Sequence, residues 1–398
     1  MEQANRVIIV GAGPVGLTAA LLLQRRGIPF VVLEANADLP DDLRASTFHP
    51  PTLDMLATLG VAAPLIAEGL VSPTWQIRLH ATGERALFDL AVIADSTDHP
   101  YRLQCEQSKL CRILLDRIVT DGGDVRMGFA AEAVEQDTDR VTVTARSAGG
   151  EPERFAGTFL IGADGSRSAI RRALGFAFEG KTYPETTILA TTHFPFEEHL
   201  PGLSNVNYVW KEGGTFSLLR LPSVWRCSLY PDGEETIEQA LEPTSIARKL
   251  QEIAPSPDGH KVEEVRPYRI HMRIVDDYRA GRVLLAGDAA HVNSPSGGMG
   301  MNGGIHDAFE LVATLTEVLD GAPLDLLDRY TRRRRPIAEA EILTQADRNR
   351  ARMQERDPAR RREMLTTLQR TADDPVAARE HLLRSSMIAG LRRAAAIA

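Results

Sequence analysis

The chain has 398 residues, with 46 Lys and Arg against 54 Asp and Glu, a formal charge of −8. That balance argues against the basic surface of a nucleic-acid binder. A composition of 43% hydrophobic and 25% charged residues, with 31 Gly and 23 Pro, excludes a collagenous, coiled-coil or low-complexity chain. At roughly 150 residues per domain, two or three domains are expected. Three cysteines, Cys105, Cys111 and Cys227, form neither a CxxC pair nor zinc-ligand spacing, so a reduced cytoplasmic thiol set without a metal site is expected.

In chain order, the first 35 residues predict a β-α-β unit: a buried strand at 6–10, a helix at 15–26 stopped by Gly27, and a second strand at 30–34. The uncharged stretch 7–24 is interrupted by Gly11, Gly13, Pro14 and Gly16, so it is no membrane span or signal peptide. A short helix at 51–59, a strand at 75–80 and a helix at 108–120 follow, then strands at 140–146 and 155–162. From about 186 to 265 the texture becomes short β runs at 187–194, 205–210, 215–220 and 225–230, joined by turns at 212–214 and 221–223. A buried strand at 282–286 then runs into a glycine-rich loop and a helix from about Asn302. The remaining residues predict helices broken at Pro358 and at Asp373-Asp374-Pro375, with the arginine run 332–335 as a solvated helix end.

Gly11-Ala12-Gly13-Pro14-Val15-Gly16 follows a strand, opens a helix, and is followed 18 residues after Gly16 by Glu34 at the end of the next strand. This is a dinucleotide fingerprint in its required context. Gly11 permits the tight turn, Gly13 lets a pyrophosphate approach the backbone, and Gly16 allows close packing of helix on strand. The helix start offers free N–H groups to phosphate, and Glu34 accepts from ribose hydroxyls. The fingerprint alone does not separate FAD from NAD.

Two further segments end strands in acidic turns: Leu160-Ile161-Gly162-Ala163-Asp164-Gly165-Ser166-Arg167-Ser168 and Leu285-Ala286-Gly287-Asp288-Ala289-Ala290-His291. With the first motif, they resemble the three signatures of the group A FAD-dependent aromatic hydroxylases, the flavoprotein monooxygenases typified by p-hydroxybenzoate hydroxylase. The resemblance covers nearly the whole chain. It implies an α/β fold in which a Rossmann-like FAD-binding domain (1–72, 97–180 and 267–330) is interrupted by a mainly antiparallel β-sheet substrate domain (73–96 and 181–266), with a helical C-terminal tail (331–398).

By the same resemblance Asp288 would bind the ribityl and pyrophosphate region, with Gly287 beside it. Asp164 and Gly165 would serve FAD and the nicotinamide cofactor, Arg44 would reach the flavin side, and Gln107 would open the helix beside the FAD chain. In Pro295-Ser296-Gly297-Gly298-Met299-Gly300-Met301-Asn302, the glycines let backbone lie against a flat ring and the helix start directs N–H groups toward reduced flavin. Gly298, Gly300, Met301 and Asn302 are therefore cofactor candidates, and Pro295 matches the family's proline beside the site of oxygen reaction. The activity implied is hydroxylation of a small aromatic, phenol-like substrate with NAD(P)H and O2, through a flavin C4a-hydroperoxide.

A phenol reacts best as its phenolate, so a base or hydrogen-bond chain is expected near the substrate hydroxyl. His193, Tyr208 and Tyr230 are candidates on the interrupting sheet. Tyr268 and His271 are candidates at its return, in a segment resembling one in some phenol-directed members; each tyrosine has sheet packing as its alternative. Arg220 and Arg226 either meet a substrate carboxylate or lie on a solvated strand face, the second being the simpler reading. His291 is read as a structural hydrogen bonder. Competing functions are a reductase or halogenase-like flavin oxidoreductase of the same fold, a non-catalytic FAD-binding interaction protein, and an NAD-dependent dehydrogenase. Family members commonly self-associate, so a homodimer is an expectation.

Overall fold

A computed structural model describes residues 5–41 and 45–398. The strand Val7–Val10 is apolar at every position and buried throughout, as a parallel strand covered on both faces must be. It pairs in parallel with Phe30–Glu34 on one side and Phe159–Gly162 on the other. Asp124–Met127 and Val283–Leu285 extend this sheet in parallel, and Arg279–Ala280 closes one edge antiparallel. The helix Pro14–Arg25 begins at a proline, whose missing N–H is not needed there, and buries Leu17, Leu21, Leu22 and Leu23 against the sheet and the helices Gln107–Thr120 and Met299–Leu319. Gly16 allows this approach, since a Cβ there would sit 2.0 Å from the Gly11 carbonyl oxygen.

The second sheet has eight strands in the order His291–Val292, Val262–Ile274, Glu179–Thr192, Trp225–Leu229, Gly214–Arg220, Val206–Lys211, Thr74–Leu79 and Arg85–Asp89. All pairs are antiparallel except Val206–Lys211 with Thr74–Leu79. Its run Trp225-Arg226-Cys227-Ser228-Leu229 alternates apolar and polar residues, yet all five are buried. Trp225, Cys227 and Leu229 join an apolar cluster with Ile188, Phe216, Ile246 and Leu250, so Arg226 and Ser228 face the other way.

Several elements differ from the sequence expectation. The stretch 155–162 is two strands: Pro152–Gly157 belongs to a separate three-stranded meander, and the chain crosses to the parallel sheet where Gly157 passes close to the Arg6 carbonyl. The strand expected from 187 starts at Glu179, and its pairing register shifts between Thr182 and Thr186, around Pro184, which has no N–H for the ladder. The helix expected near Asn302 starts at Met299, with Gly298 as a left-handed N-cap at φ +67°.

The helices Pro358–Asp373 and Pro375–Ser385 start at the expected breaks, where Asp357 and Asp374 accept from the first free N–H groups. They lay Leu365, Leu368 and Leu382 on Trp75, Phe88 and Trp210 of the larger sheet. The expected solvated arginine run is corrected at Arg334, which is 1% exposed. Its Nε donates to Asp307 Oδ1 at 2.7 Å, while Asp307 Oδ2 accepts from the Gly287 N–H at 3.1 Å and from His291 Nε2 at 2.7 Å. Burial alone would raise the Asp307 pKa, but Arg334 and His291 outweigh it and hold the carboxyl at about 2.

Asp307→Asn leaves Arg334 as an uncompensated buried charge, so a loss of about 3–5 kcal/mol is expected in denaturant unfolding. Because the folded pKa lies below the ordinary 3.8, this carboxylate's stabilisation is complete above that value and is lost as pH falls toward about 2. An acid-unfolding series should therefore be steeper over that interval in the wild type than in Asp307→Asn.

Candidate active site

Where the two sheets meet, a cavity of about 610 Å³ runs from the first glycine turn to the inner face of the larger sheet. At one end it is lined by Gly11, Gly13, Pro14, Val15 and Glu34. A Cβ on Gly11, at φ +107°, would lie 2.4 Å from the Ala163 carbonyl oxygen, whereas a Cβ on Gly13 would meet nothing within 4 Å. Gly13 also caps its helix without any side-chain bond, so the first N–H groups of Pro14–Arg25 are free for an anion. Glu34 accepts from the Ala12 N–H at 2.8 Å and from the Asn36 N–H at 2.9 Å, which fixes its carboxylate at the rim.

The middle of the cavity is lined by Gln107, Asp164, Gly165, Gly287 and Asp288. Asp288 is exposed into it. Asp164 also caps the helix Ala169–Ala173: its oxygens accept from Ser168 Oγ at 2.5 Å and from the Ala169 N–H at 2.6 Å. Arg171 ties the two acidic turns together, donating to the Ala289 carbonyl at 3.0 Å and the Ser166 carbonyl at 2.7 Å.

A second uncapped helix start faces the far half, where Pro295, Gly298, Gly300 and Met301 line the wall. His49 braces this loop by donating from Nε2 to the Gly297 carbonyl at 2.8 Å, and burial together with Arg102 pushes its pKa down to about 3. Asn302 is behind the wall: its amide donates to the Thr47 and Gly298 carbonyls at 2.8 and 2.6 Å and accepts from the His49 N–H at 2.9 Å. It therefore positions the loop, where the sequence reading has it at the cofactor. Arg44 lies outside the described residues.

The larger sheet closes the cavity with Tyr208, Leu219, Arg226, Ser228, Tyr230 and Tyr268. Arg226, 7% exposed, donates to Ser46 Oγ at 3.0 Å and hydrogen-bonds Tyr268; its Nε has no hydrogen-bond partner among the described residues. This corrects the expectation of a solvated face for Arg226, while Arg220 is half-exposed and paired with Glu197 at 2.7 Å. Tyr268 also stands beside Thr187 and Ser228, and Tyr230 beside Thr187. Burial raises the pKa of both phenols, so they are neutral donors at physiological pH.

Two candidates are not in this wall. His271 is three residues from Tyr268 on one strand, hence on the opposite face, where Thr182 Oγ1 meets its Nδ1 at 2.9 Å. His193 stands half-exposed past the end of its strand between the Ser223 carbonyl and Glu263, each at 2.7 Å. The sequence reading also missed Met353, which reaches the cavity from the helix Thr344–Gln354. For Arg226 a signal exists, since alternation from Trp225 places it beside Ser228 and Tyr230.

Two free helix starts, glycines whose Cβ positions are filled or open, and an acidic rim fit a dinucleotide extending toward the larger sheet, the arrangement of a flavoprotein. Residues 4–345 match the FAD binding domain family, and the chain belongs to it. It is 36% identical over 338 residues to the 6-hydroxy-3-succinoylpyridine 3-monooxygenase of Pseudomonas putida, covering 84% of this chain and 85% of that protein. It is 32% identical over 404 residues to the para-nitrophenol 4-monooxygenase of a Pseudomonas species, covering 98% of each. The crystal structure of p-nitrophenol 4-monooxygenase from Pseudomonas putida superposes with a TM-score of 0.90 at 30% identity, over 97% of this chain and 98% of that one. The protein is thus an FAD-dependent monooxygenase of the aromatic-hydroxylase type, reduced by NAD(P)H. When bound, FAD supplies the two-electron chemistry that couples NAD(P)H to O2.

Gly13 has an ordinary backbone conformation, φ −76°, so the entropy gained by Gly13→Ala is offset by the poorer fit of Ala at an N-cap, and the stability of the flavin-free protein should change by less than about 1 kcal/mol. The added methyl projects into the cavity, and FAD affinity should fall by about tenfold or more, read by fluorescence titration. Gly16→Ala should instead lower stability itself.

Proposed function

We propose that the substrate is a small aromatic ring bearing an ionisable hydroxyl, a phenol or hydroxypyridine, held between Tyr208, Tyr230, Tyr268 and Pro295. The observation that carries this reading is Arg226, a buried guanidinium with a spare donor in a wall otherwise made of hydroxyls and apolar side chains. A cation there favours the ionised form of a bound hydroxyl, and an ionised ring is the better nucleophile toward an electrophilic oxygen. Tyr268, hydrogen-bonded to Arg226, would orient the ring through its own O–H. The relatives named for hydroxylated pyridine and nitrophenol substrates support the same class. Pro295 stands on the loop that leads into the second free helix start, so the ring would lie between this loop and the sheet.

The test is NAD(P)H oxidation and O2 uptake by the flavin-loaded protein across phenols, hydroxybenzoates, nitrophenols and hydroxypyridines. One compound should accelerate both and return as its hydroxylated product; turnover without O2 consumption would overturn the reading in favour of a reductase. Tyr268→Phe should lower product formation by about 10- to 100-fold. His271→Ala, outside the cavity, should stay within about twofold of wild type.

A further inference from the structure

Behind Tyr208, bordered by Ser296 and Gly297 of the glycine-rich loop, is a second and much smaller void of about 30 Å³. It is bounded by the larger sheet and by the helices Thr344–Gln354 and Pro375–Ser385, and Tyr208, Ser296, Met299 and Met353 are common to its wall and that of the main cavity. Two arginines line it, Arg102 from the short strand Arg102–Gln104 and Arg352 from the first of those helices. Arg102 is 3% exposed, its Nε and Nη1 have no hydrogen-bond partner among the described residues, and its Cζ lies 4.9 Å from the centre of the Trp75 ring. It hydrogen-bonds the Tyr208 hydroxyl, and Tyr208 is the one titratable group among the described residues that favourably offsets the charge of either arginine.

Gln345, Asn349, Ser296 and Gly297 in the wall have partners of their own, but three further polar atoms around the void do not. Trp75 Nε1, His381 Nε2 and Ser385 Oγ are buried without partners among the described residues. His381 stacks on Phe88 at 4.5 Å and Trp75 at 5.8 Å, and burial with the neighbouring Arg352, Arg384 and Arg102 lowers its pKa to about 4. Two guanidiniums, an indole N–H and a hydroxyl therefore converge with no carboxylate, whereas a buried cation ordinarily has a counter-charge. Water in the void would satisfy donors but neutralise no charge. The volume has room for one small ion and not for a ring or a side chain.

We propose that this void is a binding site for one small monovalent inorganic anion, of chloride or nitrite size, held by Arg102 and Arg352 behind Tyr208. An anion there competes with the Tyr208 hydroxyl for Arg102, so its occupancy reaches the main cavity through Tyr208, one of the four residues common to both walls. The site does not depend on the identity of the aromatic substrate.

The experiment is a tryptophan-fluorescence titration of the flavin-loaded protein with sodium chloride, bromide and nitrite, each replacing sodium gluconate at constant ionic strength. Trp75 borders the site and is the expected reporter. A saturable response to the three small anions is expected, with the midpoint raised about tenfold or more in Arg352→Met through loss of one charge-assisted contact. Arg102 is deep in the fold and its replacement can impair folding, so bromide anomalous scattering from crystals serves as the second measurement. A bromide peak between Arg102 and Arg352 is the expected result. No saturable response, a response unchanged in Arg352→Met, or a void without bromide while the ion occupies other sites would overturn the proposal.

Discussion

The cavity wall between the Gly287 turn and the second free helix start depends on one buried carboxylate. Asp307 receives the Gly287 N–H, His291 and Arg334, three groups that reach it from the second acidic turn, the strand after it and a C-terminal helix. A carboxylate and a guanidinium inside an apolar core are costly singly and compatible as a pair. The pair therefore fixes the helix Met299–Leu319 against the Gly287 turn in one arrangement. Gly304 adds to that constraint, because a Cβ there would lie 3.0 Å from the Gly287 Cα. Backbone donors at the cavity wall are thus set by packing rather than recruited by a ligand, which is the condition for electrostatic preorganisation.

The two ends of the cavity differ in chemistry because they belong to different kinds of sheet. Parallel strands end in turns and helix starts, so the nucleotide end offers backbone N–H groups and a few carboxylates. The antiparallel sheet offers side chains from alternate positions of neighbouring strands, so the other end offers hydroxyls, one guanidinium and apolar surface. Among the described residues lining that end there is neither a histidine nor a carboxylate. Tyr230 and Tyr268 at that end are phenols whose own ionisation is suppressed by burial.

The legible parts of the fold and site are those whose physics is local. Gly11, Gly13 and Gly16 each answer a backbone requirement that can be read from spacing, and Glu34 falls at a fixed distance along the same unit. The strand Val262–Ile274 is concealed by Glu263, Glu264, Arg266, Arg269 and Arg273, and by Pro267, which together read as solvated loop. With that strand unassigned, nothing separates Tyr268 from His271, although strand parity puts them on opposite faces. Arg334 sits in a run of four arginines, and only the position of Asp307 on a facing helix distinguishes it from its neighbours. Asn302 is similar: its place in the motif is plain, but its partners Thr47 and His49 are brought to it by tertiary packing.

The family match ends at residue 345, near the start of the helix Thr344–Gln354, so Arg352 and Met353 lie beyond it. That helix is anchored to the larger sheet by the Arg352 carbonyl, which accepts from Trp210 Nε1 at 3.0 Å, and it presents Met353 to the cavity. Part of the lining of the ring-binding space is therefore supplied by Met353, from a helix whose Asn349 also donates to the Ser296 carbonyl of the glycine-rich loop. A flexible thioether at that position lets the width of the space adjust to the ring it holds without moving the backbone donors at the other end.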